Sequence, residues 1–369
     1  MKIPLLSLAK QKERLGESLN RAVQKVMDSG VFILGPEVRQ FEAEFAAALQ
    51  AREAIGVSDG TNALRIALQA LGVGPKDEVI LPSFTFIATA TAISSLGATP
   101  VFADIDPISM NLDPVSAAKA VTPRTKALLP VHIFGFPADM DGLTALAKEK
   151  GLKIIEDCAQ AHLSAFKGRA VGTIGNAGAF SFYPSKNLGA AGDAGAVTTQ
   201  DPDLAEIIRE LGNCGRVTGG PAYQHVRIGY TSRLDEIQAA VLRVKLTHLA
   251  QWTASRRRIA QRYIQDLQGL PLRLPELGTA GTKHTFHLFV IRCEKRDLLA
   301  QHLSKQGIGN GVYYPIPVHR QPVYEGLGKG LSLPHTDEAS RTALALPMFP
   351  ELEESEVDAV CRAVKEFFA

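Results

Sequence analysis

From residue 54 to residue 211 the chain alternates short apolar runs with longer amphipathic ones, and few folds accept that pattern. The apolar runs fall at 54–57, 78–81, 99–103, 126–131, 152–157, 177–182 and 194–199, and segments with helical spacing lie at 61–71, 86–96, 139–150 and 201–211. Apolar runs without polar alternation are strands buried on both faces. Repeated strand–helix order requires right-handed crossovers, so the spacing predicts an α/β fold with a mainly parallel sheet sandwiched by helices. Ligands of such sheets bind beyond the carboxyl ends of the strands, so chemistry is expected just after each apolar run.

The flanks extend this unit. Leu15, Leu19, Val23 and Val26 recur at helical spacing until Gly30, and a second helix after Gly35-Pro36 turns Val38, Phe41, Phe45 and Leu49 inward. Past residue 234 a long helix is expected to about residue 268, with Arg256-Arg257-Arg258 on a solvated face. A strand at 284–292 and helices at 295–306, 337–344 and 353–368 complete a smaller α+β unit. The division is placed at 245, giving a large ligand-binding domain over 1–245 and a small C-terminal domain over 246–369.

At about 150 residues per domain, 369 residues agree with two units. The 40 Lys and Arg against 38 Asp and Glu leave a net charge of +2. A nucleic-acid binder would gather a basic excess on one face, so no nucleic acid is expected as a partner. Cys158, Cys214, Cys293 and Cys361 form no C-x-x-C pair, which suits a reduced, cytoplasmic location. The first residues turn charged too soon for a signal peptide. Val79 to Ala103 is 25 residues without a formal charge, yet Pro82, Gly97, Pro100 and seven Ser or Thr make it strand, helix and strand, so no membrane span is expected. The patterns G-x-G-x-x-G, G-x-x-x-x-G-K-[ST], H-E-x-x-H and G-x-S-x-G are all missing, and no Cys/His cluster calls for a metal.

Three segments carry chemistry. In V-S-D-G-T-N-A-L (57–64) a strand ends, Ser58 or Asp59 caps a helix, and Gly60 and Thr61 open it with unpaired amides, a phosphate site. In K-I-I-E-D-C-A-Q-A-H (153–162) Asp157 stands at the ligand end of an apolar strand, Glu156 faces the other way, and His162 reads as a hydrogen-bonded structural residue. A carboxylate in a poorly hydrated cleft needs a partner such as a protonated ring nitrogen. In G-A-F-S-F-Y-P-S-K-N-L-G (178–189) Pro184 ends an aromatic strand, and Lys186 follows beside Ser181, whose hydroxyl can reach a phosphate. A desolvated amine has a lowered pKa and joins aldehydes as a Schiff base. In this order the three describe binding of pyridoxal 5'-phosphate, with Asp157 keeping the ring nitrogen protonated and Lys186 holding the aldehyde.

With these segments the chain resembles the nucleotide-sugar aminotransferases of the DegT/StrS type. Further motifs carry the likeness: F-I-L-G-P-E-V from residue 32, P-S-F-T-F-I-A-T at 82–89, G-Y-T-S-R-L-D-E-I-Q-A-A at 229–240 and Y-Y-P-I-P-V-H-R-Q-P at 313–322. The resemblance implies the aspartate-aminotransferase fold (fold type I). It also implies transfer of an amino group from L-glutamate to a keto sugar on a nucleoside diphosphate, 3-keto being favoured over 4-keto. The product would serve lipopolysaccharide, O-antigen or a glycosylated secondary metabolite. On the matching positions Gln160 would bond the ring hydroxyl of the cofactor and Phe86 would stack on its face. Gly60, Thr61 and Ser181 would hold the phosphate. The family has Asn where this chain has Thr231, a shorter donor to the phosphate of the neighbouring subunit in a homodimer with shared active sites. Arg233, Tyr313, Tyr314 and His319 become substrate contacts. Related dehydratases carry histidine where this chain has Lys186, which argues against dehydration. A non-catalytic regulator would need a basic patch for DNA, which the balanced charge does not offer.

Overall fold

A computed structural model describes residues 2–221 and 223–369. Helices α1 (Leu8–Leu15), α2 (Glu17–Ser29) and α3 (Pro36–Leu49) come first. The single helix expected before Gly30 is therefore two, split at Gly16, whose φ of 54° suits glycine alone. Next come β1 (Glu53–Val57), α4 (Gly60–Ala70), β2 (Glu78–Pro82), α5 (Ala88–Ser94) and β3 (Thr99–Ala103). They are followed by α6 (Pro114–Lys119), β4 (Thr125–Leu128), α7 (Met140–Lys150) and β5 (Lys153–Asp157). A two-residue hairpin, β6 (Ala165–Phe166) and β7 (Arg169–Ala170), precedes β8 (Ala177–Ser181), β9 (Gly195–Thr199) and α8 (Pro202–Gly212). Aspartates 59, 113, 139 and 201 cap α4, α6, α7 and α8 with their side chains.

The sheet order is β1-β9-β8-β5-β4-β2-β3, and β9 alone runs against the others. Alternation sorts its side chains. Val79, Leu81, Ile155 and Val197 pack under α4, α5 and α8, while Ile80, Leu128 and Ile154 meet α6 and α7 on the opposite face. At the β1–β9–β8 end that opposite face carries Phe180 and Phe182, which interlock edge-on with Phe41 and Phe45 of α3. A layer of helices therefore covers each face, as expected.

Helix α9 (Glu236–Leu267) follows, and at about 1.5 Å per residue its 32 residues span roughly 48 Å. Its first half packs with Phe41 and Phe180. Its second half packs with β10 (Phe289–Arg292), α10 (Arg296–Lys305), β11 (Ala343–Leu346) and α13 (Glu354–Phe368). Two short helices, α11 (Glu325–Gly328) and α12 (Pro334–Thr342), lie between α10 and β11. The expected division at 245 falls inside α9. Two expectations here need correction. Arg256 is not on a solvated face: it is 3% exposed and donates to the carbonyls of Phe286, His287 and Met348. The strand expected over 284–292 pairs only from Phe289, because Thr285 and His287 are bonded instead to Gly135 and Phe134.

The start of α9 also fastens the start of α3. Buried Glu236 accepts the N–H groups of Gly35, Glu37 and Val38 at 2.7, 2.8 and 3.0 Å, filling a helix N-terminus with one carboxylate. Glu236→Ala is expected to destabilise the fold by about 2–3 kcal/mol, the scale of hydrogen bonds to a charged group, as read from the midpoint of chemical denaturation. An unchanged midpoint would show that solvent replaces the carboxylate without loss.

Candidate active site

The carboxyl ends of β1, β2, β5 and β8 meet at one edge of the sheet, and the loops beyond them build a single cleft of about 600 Å³. Asp59, rather than Ser58, caps α4, accepting the Asn62 N–H at 2.8 Å. The amides of Gly60 and Thr61 stay without acceptors among the described residues. A Cβ on residue 60 would stand 2.6 Å from Ser181 Cβ, so glycine lets the α4 start and the end of β8 close into one cradle. Unpaired amides at a helix start beside a hydroxyl make a phosphate-binding arrangement.

Asp157 ends β5 and is 5% exposed. Its carboxylate accepts from Thr89 Oγ1 at 2.9 Å and from the Ala159 N–H at 3.1 Å. Burial pushes its pKa up, and those two hydrogen bonds and the charge of Lys186 offset this only in part. Glu156 faces the other way, as its parity requires. Burial raises it too, but His132 and the amides of Gly175 and Gly172 outweigh that, and its pKa is lowered. His132, Glu156 and Cys158 are the one cluster of metal-ligating groups among the described residues. His132 and Glu156 already spend their polar atoms on each other and on four backbone amides, so this cluster is a structural knot.

Lys186 sits on the turn after β8. Its N–H bonds Tyr183 O at 2.8 Å, and the Ala190 N–H closes the turn on Phe182 O at 2.7 Å. A Cβ on residue 189 would lie 2.3 Å from Pro184 O, so only glycine permits so tight a return. Burial lowers the Lys186 amine to about 8, with Asp157 pulling weakly the other way.

Around these residues the cleft gathers Gly60, Thr61, Phe86, Gln160, Ser181, Tyr313 and Tyr314. Phe86 is no core aromatic: it is 56% exposed, its ring 6.3 Å from that of Tyr314. Gln160 accepts from the Phe134 N–H at 2.7 Å and donates to Tyr314 Oη at 2.9 Å. Three expected positions are not brought into this cleft. His319 is buried away from it, its Nδ1 2.6 Å from Ser83 Oγ, so as a substrate contact it is corrected to a brace for the neighbouring loop. Thr231 is exposed beside Cys214, and Arg233 donates to Asn213. His162 is corrected as well. It is held neutral, with a pKa of about 3, first by burial and then by Lys186, and neither ring nitrogen makes a hydrogen bond of normal geometry. Residues missed from the sequence include Thr89, Tyr183, His287, Leu5 and Met348. Thr89 and Tyr183 left a signal, one a helical turn beyond Phe86 and the other three residues before Lys186; Leu5 and Met348 come from parts of the chain that local pattern does not place.

Pyridoxal phosphate fits this donor set. The cradle at Gly60, Thr61 and Ser181 suits its phosphate, and a buried carboxylate whose desolvation its partners offset only in part suits a protonated ring nitrogen. The exposed ring of Phe86 and the desolvated amine of Lys186 suit a flat aldehyde.

Comparison with known proteins agrees. The model of the DegT/DnrJ/EryC1/StrS aminotransferase family matches residues 13–365. The dTDP-3-amino-3,4,6-trideoxy-alpha-D-glucose transaminase of Streptomyces venezuelae is 47% identical, over 99% of this chain and 96% of its own length. A pleiotropic regulatory protein of Geobacillus stearothermophilus is also 47% identical, over 100% of this chain and 99% of its own. The crystal structure of S. venezuelae DesV in complex with a ketimine intermediate superposes with a TM-score of 0.96 at 47% identity, covering 99% of this chain and 98% of that one.

The amine at 186 supplies a direct test. In cofactor-free protein the rate at which pyridoxal phosphate joins Lys186 is expected to rise through a midpoint near pH 8 instead of the ordinary 10.5, because only the deprotonated amine attacks. Asp157→Asn removes a charge that raises this amine and should move the midpoint lower still. A midpoint near 10 would contradict the desolvated cleft.

Proposed function

The chain belongs to the DegT/DnrJ/EryC1/StrS aminotransferase family, and on that premise we propose that it moves an amino group from L-glutamate to a 3-keto sugar linked to a nucleoside diphosphate. It is an aminotransferase, and its cofactor is pyridoxal phosphate. The observation that carries the reading is the single cleft in which Asp157, Lys186 and the Gly60–Thr61–Ser181 cradle converge. When bound, the cofactor supplies an electron sink that makes the α-proton of an amino acid removable.

The chain's own residues do the rest. Asp157 holds the proton on the ring nitrogen, and Thr89 holds Asp157. The amides of Gly60 and Thr61 and the Ser181 hydroxyl fix the phosphate. Phe86 covers one face of the ring, and Gln160, turned by the Phe134 amide, offers an N–H to the ring hydroxyl. The amine of Lys186, held near 8, would take the proton from the donor's α-carbon and deliver it to the carbon that bears the cofactor's aldehyde. Proton transfer by a positioned side chain typically contributes about 10²–10⁴-fold. Tyr313 and Tyr314 border the sugar, and Arg233 contacts substrate across the subunit boundary.

A homodimer is part of this reading. Among the described residues that line the cleft there is no arginine for a carboxylate or a diphosphate, and a second subunit would supply the cations in this reading. Val31, Phe32, Ile33 and Leu34 together with Val226 and Ile228 leave large apolar side chains in solvent, Ile228 at 89% exposure. Thr231 of the partner subunit would then reach the phosphate. The name of the S. venezuelae relative supports the C3 position. No helix among the described residues is long and apolar enough to cross a membrane.

Adding L-glutamate to the cofactor-loaded enzyme is expected to convert the visible absorption into the near-ultraviolet band of the amino form, with 2-oxoglutarate released. A nucleotide-linked 3-keto sugar should restore the visible band faster than a 4-keto sugar does. Lys186→Ala is expected to abolish both conversions. Turnover in that variant, or inertness of the wild type toward glutamate, would contradict the proposal.

A further inference from the structure

The hydrogen bonding that starts at the Asp157 carboxylate runs one residue further than its direct partners. Oδ1 accepts the Ala159 N–H at 3.1 Å, and Oδ2 accepts the Thr89 hydroxyl at 2.9 Å. Thr89 Oγ1 lies in turn 3.0 Å from Thr85 Oγ1. Both threonines line the cleft, and both are buried, Thr85 at 3% exposure and Thr89 at 1%. Thr85 stands between two aromatic residues on the loop after β2. Phe84 packs inward, its ring 6.1 Å from those of Phe134 and Tyr314, and Phe86 turns out over the cleft. The Thr89 N–H donates to Phe86 O at 3.1 Å and closes the turn that leads into α5. Hydroxyls thus tie the loop that presents Phe86 to the carboxylate that would meet the ring nitrogen.

A hydroxyl has one hydrogen to give and two lone pairs with which to accept. A charged carboxylate only accepts, so the Thr89 hydrogen is committed to Asp157 Oδ2, and the hydrogen between the two threonines has to come from Thr85. With Asp157 charged, both hydroxyl hydrogens are used. With a proton on Oδ2 the chain would reverse: Asp157 would donate to Thr89 and Thr89 to Thr85, and the Thr85 hydrogen would have no acceptor among the described residues. An unmet buried donor is costly, and hydrogen bonds in a row polarise one another, so the pair favours the charged carboxylate. From this geometry we propose that Thr85 donates to Thr89 and, through it, keeps Asp157 charged for a protonated ring nitrogen. Thr85 has no bond to Asp157 and is in this sense a positioning residue. Four ionisable groups face the same carboxyl. Lys186 and His132 pull its pKa down, and Cys158 and Tyr314 are pushed up by burial and stay neutral; none of the four hydrogen-bonds Thr85. The proposal rests on Asp157 being the partner of the ring nitrogen and is independent of the amino donor and the sugar.

Two substitutions separate the hydroxyl of residue 85 from the space it fills. Thr85→Val keeps the shape and loses the donor; Thr85→Ser keeps the donor and loses the methyl group. In cofactor-free protein with ¹³C-labelled aspartate carboxyls, the Asp157 signal should titrate with a midpoint about 0.5–1 pH unit higher in the Val variant, the scale of one hydrogen bond. The Ser variant should titrate as the wild type does. In the full chain loaded with ¹⁵N-labelled pyridoxal phosphate, the ring-nitrogen signal should move toward that of a neutral pyridine in the Val variant alone. A carboxyl that holds a proton more tightly takes a larger share of the one it exchanges with the ring. A packing role reverses the order, leaving Val like the wild type and Ser impaired. A Val variant like the wild type, or a Ser variant shifted as far as Val, would overturn the proposal. A neutron structure of the wild-type holoenzyme needs no variant and decides the matter even where Thr85→Val fails to fold. Deuterium should sit on Thr85 Oγ1 pointing at Thr89, with that of Thr89 pointing at Asp157; the opposite direction contradicts the proposal. None of these measurements uses glutamate or a keto sugar, so each stands if the donor or acceptor proposed above fails.

Discussion

A carboxylate taken out of water with no salt bridge among the described residues is the constraint on which the rest of this structure depends. Asp157 has one hydroxyl and one amide as partners, too few to offset its desolvation, and its pKa rises accordingly. A protonated heteroaromatic nitrogen brought against it would recover on the order of 4 kcal/mol at 4 Å and an effective dielectric constant of about 20. The other cleft residues stand where a flat ring anchored on Asp157 would want them. The phosphate cradle lies at the start of α4, the exposed ring of Phe86 follows β2, and the Lys186 amine stands on the turn after β8.

The molecule contains its own controls for this argument. Glu156, adjacent on the same strand and fully buried, is lowered instead of raised because an imidazole and three amides converge on it. One carboxylate organises a loop; the other is left wanting a ligand. The lysines form a similar pair. Lys245 is also lowered to about 8 by burial, but its Nζ is occupied by Gly189 O at 2.7 Å and lies outside the cleft. A depressed amine pKa therefore does not by itself mark the reactive lysine. Access to the cleft and freedom from a fixed acceptor do.

The parallel sheet, the long helix from 236 to 267 and the positions of Asp157 and Lys186 are legible in the sequence, because burial on both faces and the strand-end rule are local signals. Strand order is not local. Nothing in 194–199 announces that β9 inserts antiparallel between β1 and β8. Arg256 reads as solvated within its basic triplet, and only the return of residues 286, 287 and 348 shows that it bonds backbone carbonyls in the interior. His319 stands in a segment resembling a substrate loop, but Ser83, more than two hundred residues earlier, claims its ring.

The central claim is that Lys186, and no other amine, takes the aldehyde. Reducing the holoenzyme with borohydride and mapping the added pyridoxyl mass on proteolytic peptides tests it most directly. The account predicts that the mass lies on the peptide containing Lys186 and vanishes in Asp157→Ala protein that no longer retains the cofactor. Stoichiometric labelling of Lys245, Lys283 or any other lysine would contradict it.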